Sequence, residues 1–231
     1  MLAQDRHTRL IDSLAAGLAP VARLASPARR IAGWLLLVGL PAAGLAAVAN
    51  LHGVLARYAA EPALVLAAAG STATAAAAAA AAVLMTLPDR SARWALLPVP
   101  SLAFWIGAGV AGAASGTGYG APIPLSAACS CFAFIVGLGV PFALLLVASL
   151  KQGYALRPGL TAGLAGLAAS SAAASILGLF HPFEMALDDL GMHALAVALL
   201  SGLFASFGSR LMHRRSGTAT DTGWRRGDPI A

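Results

Sequence analysis

Of the 231 residues, 59% are hydrophobic and only 10% are charged, and the mean hydropathy is +0.79. A soluble domain averages roughly 45–50% apolar and about 25% charged, so this chain has too few charges to solvate a globular surface. An ordinary soluble enzyme, a disordered chain and a fibrous protein are excluded, which leaves an all-α polytopic membrane bundle. The net charge of +6 and pI near 10.4 would suit a nucleic-acid binder. The arginines, however, flank apolar stretches instead of forming one patch. They read as cytoplasmic loops of a membrane protein, with no direct nucleic-acid contact.

The amino segment 1–30 is mixed in character. Leu10, Ile11, Leu14 and Leu18 fall at i, i+1, i+4 and i+8, one face of a short amphipathic helix, with Arg9, Asp12 and Ser13 off that face. Pro20 ends it. Such a face either lies on the inner leaflet or docks in the groove of a partner protein, and periodicity does not separate the two. Ala47-Val48-Ala49 resembles a signal-peptide cleavage site. The segment ahead of it is too long and holds Pro20 and Pro27, so an uncleaved first span is expected.

Six spans follow, at about 31–49, 63–87, 94–113, 129–150, 159–180 and 192–210, each bounded by charge, Pro or Gly. The second contains the tract Ala75 to Ala82, a smooth surface for close helix approach or simple compositional bias. Pro141 is placed to kink the fourth. Gly159-x-x-x-Gly163 with Gly166 gives the fifth a close-approach face. No Asp, Glu, Lys or Arg is expected deep in any span, which disfavours a transporter. The chain thus divides into the amino segment 1–30, a six-helix membrane domain 31–213 and a basic tail 214–231 with the composition of a disordered segment.

Orientation follows from charge. Of the 15 Lys and Arg residues, all but Arg57 fall in the amino segment, the second–third and fourth–fifth loops and the tail. Glu184, Asp188 and Asp189 share the other side with Arg57. The expectation is N-in and C-in.

Motifs that carry chemistry are sparse. No phosphate-binding G-x-x-x-x-G-K-[ST], no H-E-x-x-H, no dinucleotide fingerprint and no intramembrane-protease G-x-S-G occurs. The Gly116–Gly120 stretch reads as a turn. Neither enzymatic activity nor a cofactor is expected. Cys129 and Cys131 lie two apart, with no C-x-x-C and no disulfide framework. With His181, His193, Asp188 and Asp189 they are expected at one outer face. There, thiolate, imidazole and carboxylate can ligate a soft or borderline metal or form a thiol sensor. Alternatively the cysteines are small apolar fillers and the histidines interfacial residues.

The order Leu10-Ile11-Asp12-Ser13-Leu14-Ala15, Leu18-Ala19-Pro20-Val21, Arg23-Leu24 and Pro27 ahead of Trp34-Leu35 resembles the start of the NrsF family, six-span bacterial anti-sigma factors. The resemblance continues at Cys131-Phe132-Ala133-Phe134, Pro141-Phe142-Ala143-Leu144 and Gly153-Tyr154-Ala155-Leu156-Arg157-Pro158. It closes with Asp188, Asp189, His193 and Ala194–Leu203, so it covers nearly the whole chain. It implies a protein of the bacterial inner membrane that holds an extracytoplasmic-function sigma factor through its amino segment and releases it on an outer-side stress signal. Its partners would be that sigma factor and membrane lipid. The resemblance makes Leu10, Ile11, Leu14 and Leu18 the expected sigma-binding face. By the resemblance Cys131 matches the first of two outward-facing cysteines usual in the family. Exposed near a span boundary, it is expected to be the principal sensing residue, with Cys129 auxiliary and His181 and His193 the nearest candidate nitrogen ligands. Members usually carry a second cysteine after the histidine that ends span five; here Pro182 follows His181. Single-thiol, metal-ligand and cysteine-independent signalling therefore remain open. A small six-span transporter or channel-like protein is the alternative.

Overall fold

The computed structural model describes residues 2–16, 24–115, 124–180 and 187–212. Within them the chain forms α1 (Leu2–Ala16), α2 (Pro27–Val48), α3 (Leu51–Ala60), α4 (Pro62–Leu84), a 3-10 turn (Ala92–Leu96), α5 (Val99–Ser115), α6 (Leu125–Leu150), α7 (Pro158–Leu177) and α8 (Leu187–Met212). Six segments, one joining the 3-10 turn to α5, are long and apolar enough to cross a membrane, as expected. The described residues contain no strand.

Several helices start earlier than hydropathy alone indicated: α2 at Pro27, α6 at Leu125 and α8 at Leu187. Proline is pre-organised for the first helical turn, where its missing N–H costs nothing, and Pro27, Pro62 and Pro158 all occupy that position. Ser26 caps α2 by accepting from the Arg29 N–H at 3.4 Å. In α8 the charges Asp188 and Asp189 sit in the first turn and Arg210 in the last. Both placements oppose the helix dipole favourably.

α7 is the centre of the bundle, enclosed by α4, α6 and α8. Lipid tails are as apolar as leucine, so helices associate here through close van der Waals contact between small surfaces. The sequence supplies those surfaces. Ala75, Ala78, Ala79 and Ala82 of the alanine tract are buried, as are Ala165, Ala168 and Ala169 of α7. The Gly159-x-x-x-Gly163 face of α7 does meet α8. A Cβ at Gly163 would lie 3.0 Å from Ala205 Cβ, and one at Gly166 would lie 3.0 Å from both Leu200 O and Ser201 Cα. Larger side chains fill the edges. Trp34 from α2 is buried and donates its indole N–H to Phe142 O at 3.1 Å.

Two features depart from the sequence expectation. The segment after the first span is not a plain loop, because Asn50 caps α3 by accepting the Gly53 N–H at 3.1 Å. Arg30 is not a solvated loop charge either. It lies in the first turn of α2, is only 6% exposed, and donates to Thr86 Oγ1 at 3.0 Å and Ser149 O at 2.7 Å. The bundle therefore has an Arg30 end, where α4 and α6 finish, and a His193 end, where α3 lies and α8 begins.

Candidate functional site

Most of the polar chemistry within the bundle gathers at the His193 end. α3 brings Arg57 and Tyr58 over Gly178, the first residue beyond α7. Arg57 Nη2 donates to Gly178 O at 3.5 Å, a long contact, and a Cβ on Gly178 would lie 3.3 Å from the Tyr58 hydroxyl. From α8, His193 Nδ1 lies 2.9 Å from Asp189 O and 3.2 Å from Asp189 Oδ2, one helical turn back. Both contacts hold the imidazole ring in place against the first turn of α8.

Below them a hydroxyl cluster ties α4 to α7. Ser71 Oγ and Ser175 Oγ are 2.8 Å apart, and Thr72 Oγ1 donates to Ser175 Oγ at 3.2 Å. Hydroxyls can sit in apolar helices because each also bonds a carbonyl of its own preceding turn, as Ser175 does to Ser171 O at 3.0 Å. Arg57, Tyr58, Ser71, Ser175, Asp189 and His193 line one cavity of about 110 Å³, closed on its apolar side by Trp105 and Leu190. The arrangement can hold a small group carrying negative charge, since Asp189 is engaged by His193 while Arg57 has no carboxylate partner among the described residues.

The two cysteines lie on different sides of α6. Residues two apart on a helix point about 200° apart, so when one faces out the other faces in. Cys129 is exposed. Cys131 is 5% exposed and packs with Ile135, Ala173, Leu177 and Ala196. The expectation of an exposed Cys131 is corrected: α6 begins at Leu125, so Cys131 already lies in its second turn, facing α7 and α8. Among the described residues no three His, Cys, Asp or Glu side chains converge as metal ligands. His181 lies outside the described residues, so the full expected set of Cys129, Cys131, His181 and His193 is not assembled there.

A family model described as "Negative regulator of sigma F" matches residues 14–213. The chain belongs to the NrsF family. Neither the curated proteins nor the solved structures contain a match. The NrsF match takes in the whole six-span bundle, Arg30, both cysteines and His193, together with Leu14 and Leu18 of the amino segment. Leu10 and Ile11 precede it.

In this NrsF chain α1 is helical as expected, and Leu10, Ile11 and Leu14 are 55%, 64% and 64% exposed. Leu18 lies outside the described residues. The apolar face is thus formed but not covered by the bundle. Sequence reasoning missed Arg57, Tyr58, Ser71, Thr72 and Ser175 as parts of one site. Arg57 was visible as the lone basic residue of its loop set, which was the one signal available. The hydroxyls were hidden inside runs read as apolar.

Proposed function

We propose that this chain is a membrane-held anti-sigma factor that sequesters an extracytoplasmic-function sigma factor at the bacterial inner membrane and releases it on an outer-side stress signal. The observation that carries this reading is the uncovered apolar face of α1 in a chain of the NrsF family. Three large apolar side chains held on a preformed helix are a suitable core for helix-in-groove contact. The Arg30 end is cytoplasmic in this reading: Arg90, Arg93, Lys151 and Arg157 gather there, and basic loops stay inside. The His193 end then faces outward and receives the signal, with Cys131, Cys129, His181 and His193 as its candidate sensing residues. Membrane lipid surrounds the bundle, and the protein acts without catalysis or direct contact with nucleic acid.

The test is the double variant Leu10→Asp, Leu14→Asp. It should free the sigma factor, raising sigma-dependent transcription, while the protein stays in the membrane fraction. Single hot spots in such grooves contribute roughly 2 kcal/mol or more, so two charges on the face should abolish co-purification. A variant that still represses and still co-purifies with the factor would reduce α1 to a membrane anchor.

A further inference from the structure

The cavity at the His193 end does not stop at its apolar wall. Trp105, Leu190 and His193 also line a second, much larger groove of about 610 Å³ between α5, α7 and α8. That groove is walled by Leu102, Ile106, Leu160, Leu164 and Val197, carries no Asp, Glu, Lys or Arg among the described residues, and ends near Ala205. A small polar chamber thus adjoins, across three shared side chains, a long apolar groove within the spans. This is the shape of an amphiphile: a compact head and a single tail.

Charge decides the head. Arg57 is the chamber's cation, and its hydrogen bond among the described residues is the long one to Gly178 O. The chamber's carboxylate, Asp189, is held by His193 at 3.2 Å. The Tyr58 hydroxyl adds a neutral donor that can bond a carboxylate. Length decides the tail. From His193 to Ala205 the groove follows about 18 Å of helix axis at 1.5 Å per residue, close to one leaflet of a hydrocarbon core about 30 Å thick. Size decides against a phospholipid, because the chamber has space for only a few waters, enough for a carboxylate but not for a phosphoglycerol bearing two esters. We propose that this chain binds one free long-chain fatty acid, its carboxylate in the chamber against Arg57 and its tail in the groove between α5, α7 and α8. As an input to sigma release, this rests on the anti-sigma reading; as a binding site it does not.

The full chain, purified into nanodiscs of phosphatidylcholine without any sigma factor, is titrated with radiolabelled oleate. Saturable binding near one oleate per chain is expected. Arg57→Gln should weaken it by at least about tenfold, the loss of a charge-assisted bond to a desolvated head. Methyl oleate, which has no carboxylate, should bind Arg57→Gln and the unaltered chain alike. Gly202→Phe provides an independent test, since Gly202 lines the groove with nothing within 4 Å of a Cβ there; the ring fills the channel and should also abolish saturable binding. Both variants must elute as the unaltered chain does. Oleate binding that neither substitution changes, or competition by dioleoyl phosphatidylglycerol as strong as by unlabelled oleate, overturns the proposal. Because no sigma factor is present, these outcomes are independent of the α1 double variant.

Discussion

The Arg30 guanidinium donates to the Ser149 carbonyl oxygen at 2.7 Å, joining the first turn of α2 to the last turn of α6, and its other arm reaches Thr86 Oγ1 just beyond α4. Three helix ends are tied by one side chain. Thr86 in turn accepts the Tyr154 N–H through its carbonyl at 3.1 Å, so the loop ahead of α7 joins the same knot.

Arg30→Ala should therefore loosen the whole Arg30 end. Hydrogen bonds from a charged donor contribute about 1.5–3 kcal/mol each, and Thr86, one of the two acceptors left behind, is buried. A loss of about 2–3 kcal/mol is expected in detergent-solubilised protein followed by thermal unfolding. Arg30→Lys should recover only part of it, because an ammonium lacks the fork that reaches two acceptors at once. Full recovery by lysine would mean that only the charge matters.

Glycine at 166 and glycine at 202 should respond oppositely to alanine. At Gly166 the added methyl meets Leu200 O and Ser201 Cα at 3.0 Å and forces α7 from α8; at Gly202 it meets nothing within 4 Å. Overpacking of this kind costs about 1–3 kcal/mol. Gly166→Ala should lower the unfolding temperature and Gly202→Ala should leave it unchanged or raise it. Equal behaviour would contradict the α7–α8 contact described above.

The thiols should differ in reactivity. A membrane-impermeant maleimide added to intact cells should spare Cys131 until the protein is denatured, since it is buried against α7 and α8, while labelling of Cys129 on the outer surface of α6 tells whether that position meets water or lipid. Labelling measured in Cys129→Ser and Cys131→Ser single variants resolves the two. If a thiol senses cadmium or an oxidant, the double variant should lose induction of sigma-dependent transcription; an unchanged induction ratio would remove thiols from the signal and leave the anti-sigma reading intact.

Reporter fusions after Arg93, Arg157 and Arg215 should read cytoplasmic, and fusions at Gly118 and Phe183 should read outside. The division of basic residues, with Arg57 alone opposite the rest, motivates this. A carboxyl end found outside would invert the proposed direction of signalling.

What the sequence disclosed followed from one-dimensional signals. Six apolar runs near the length of a bilayer gave the spans, and the spacing of Gly159, Gly163 and Gly166 gave the face that meets α8. Span ends were less legible because hydropathy is an average over many residues, whereas a start such as Pro27 is set by one cap and one ring. α3 was missed because ten residues holding His52 and Arg57 are too short and too polar to stand out. The chamber was illegible for a different reason. Arg57, Ser71, Trp105, Ser175 and His193 come from five helices, and only tertiary packing brings them together. Cys131 was misplaced because α6 starts about four residues earlier than hydropathy indicated; the spacing to Cys129 puts the two on opposite sides of the helix without saying which faces inward.

The enclosure of α7 bears on how the protein is made. Its neighbours α4 and α6 emerge from the ribosome before it, but the face carrying Gly159, Gly163 and Gly166 meets α8, which is made after α7. Until then the small-residue surface of α7 lies open in the translocation channel or in lipid. Losing α8 would leave the central helix half-wrapped, whereas losing α2, which touches the bundle chiefly along α4 and α6, would remove the Arg30 and Trp34 ties. A truncation that removes α8 should thus lower accumulation in the membrane through the uncovered face of α7.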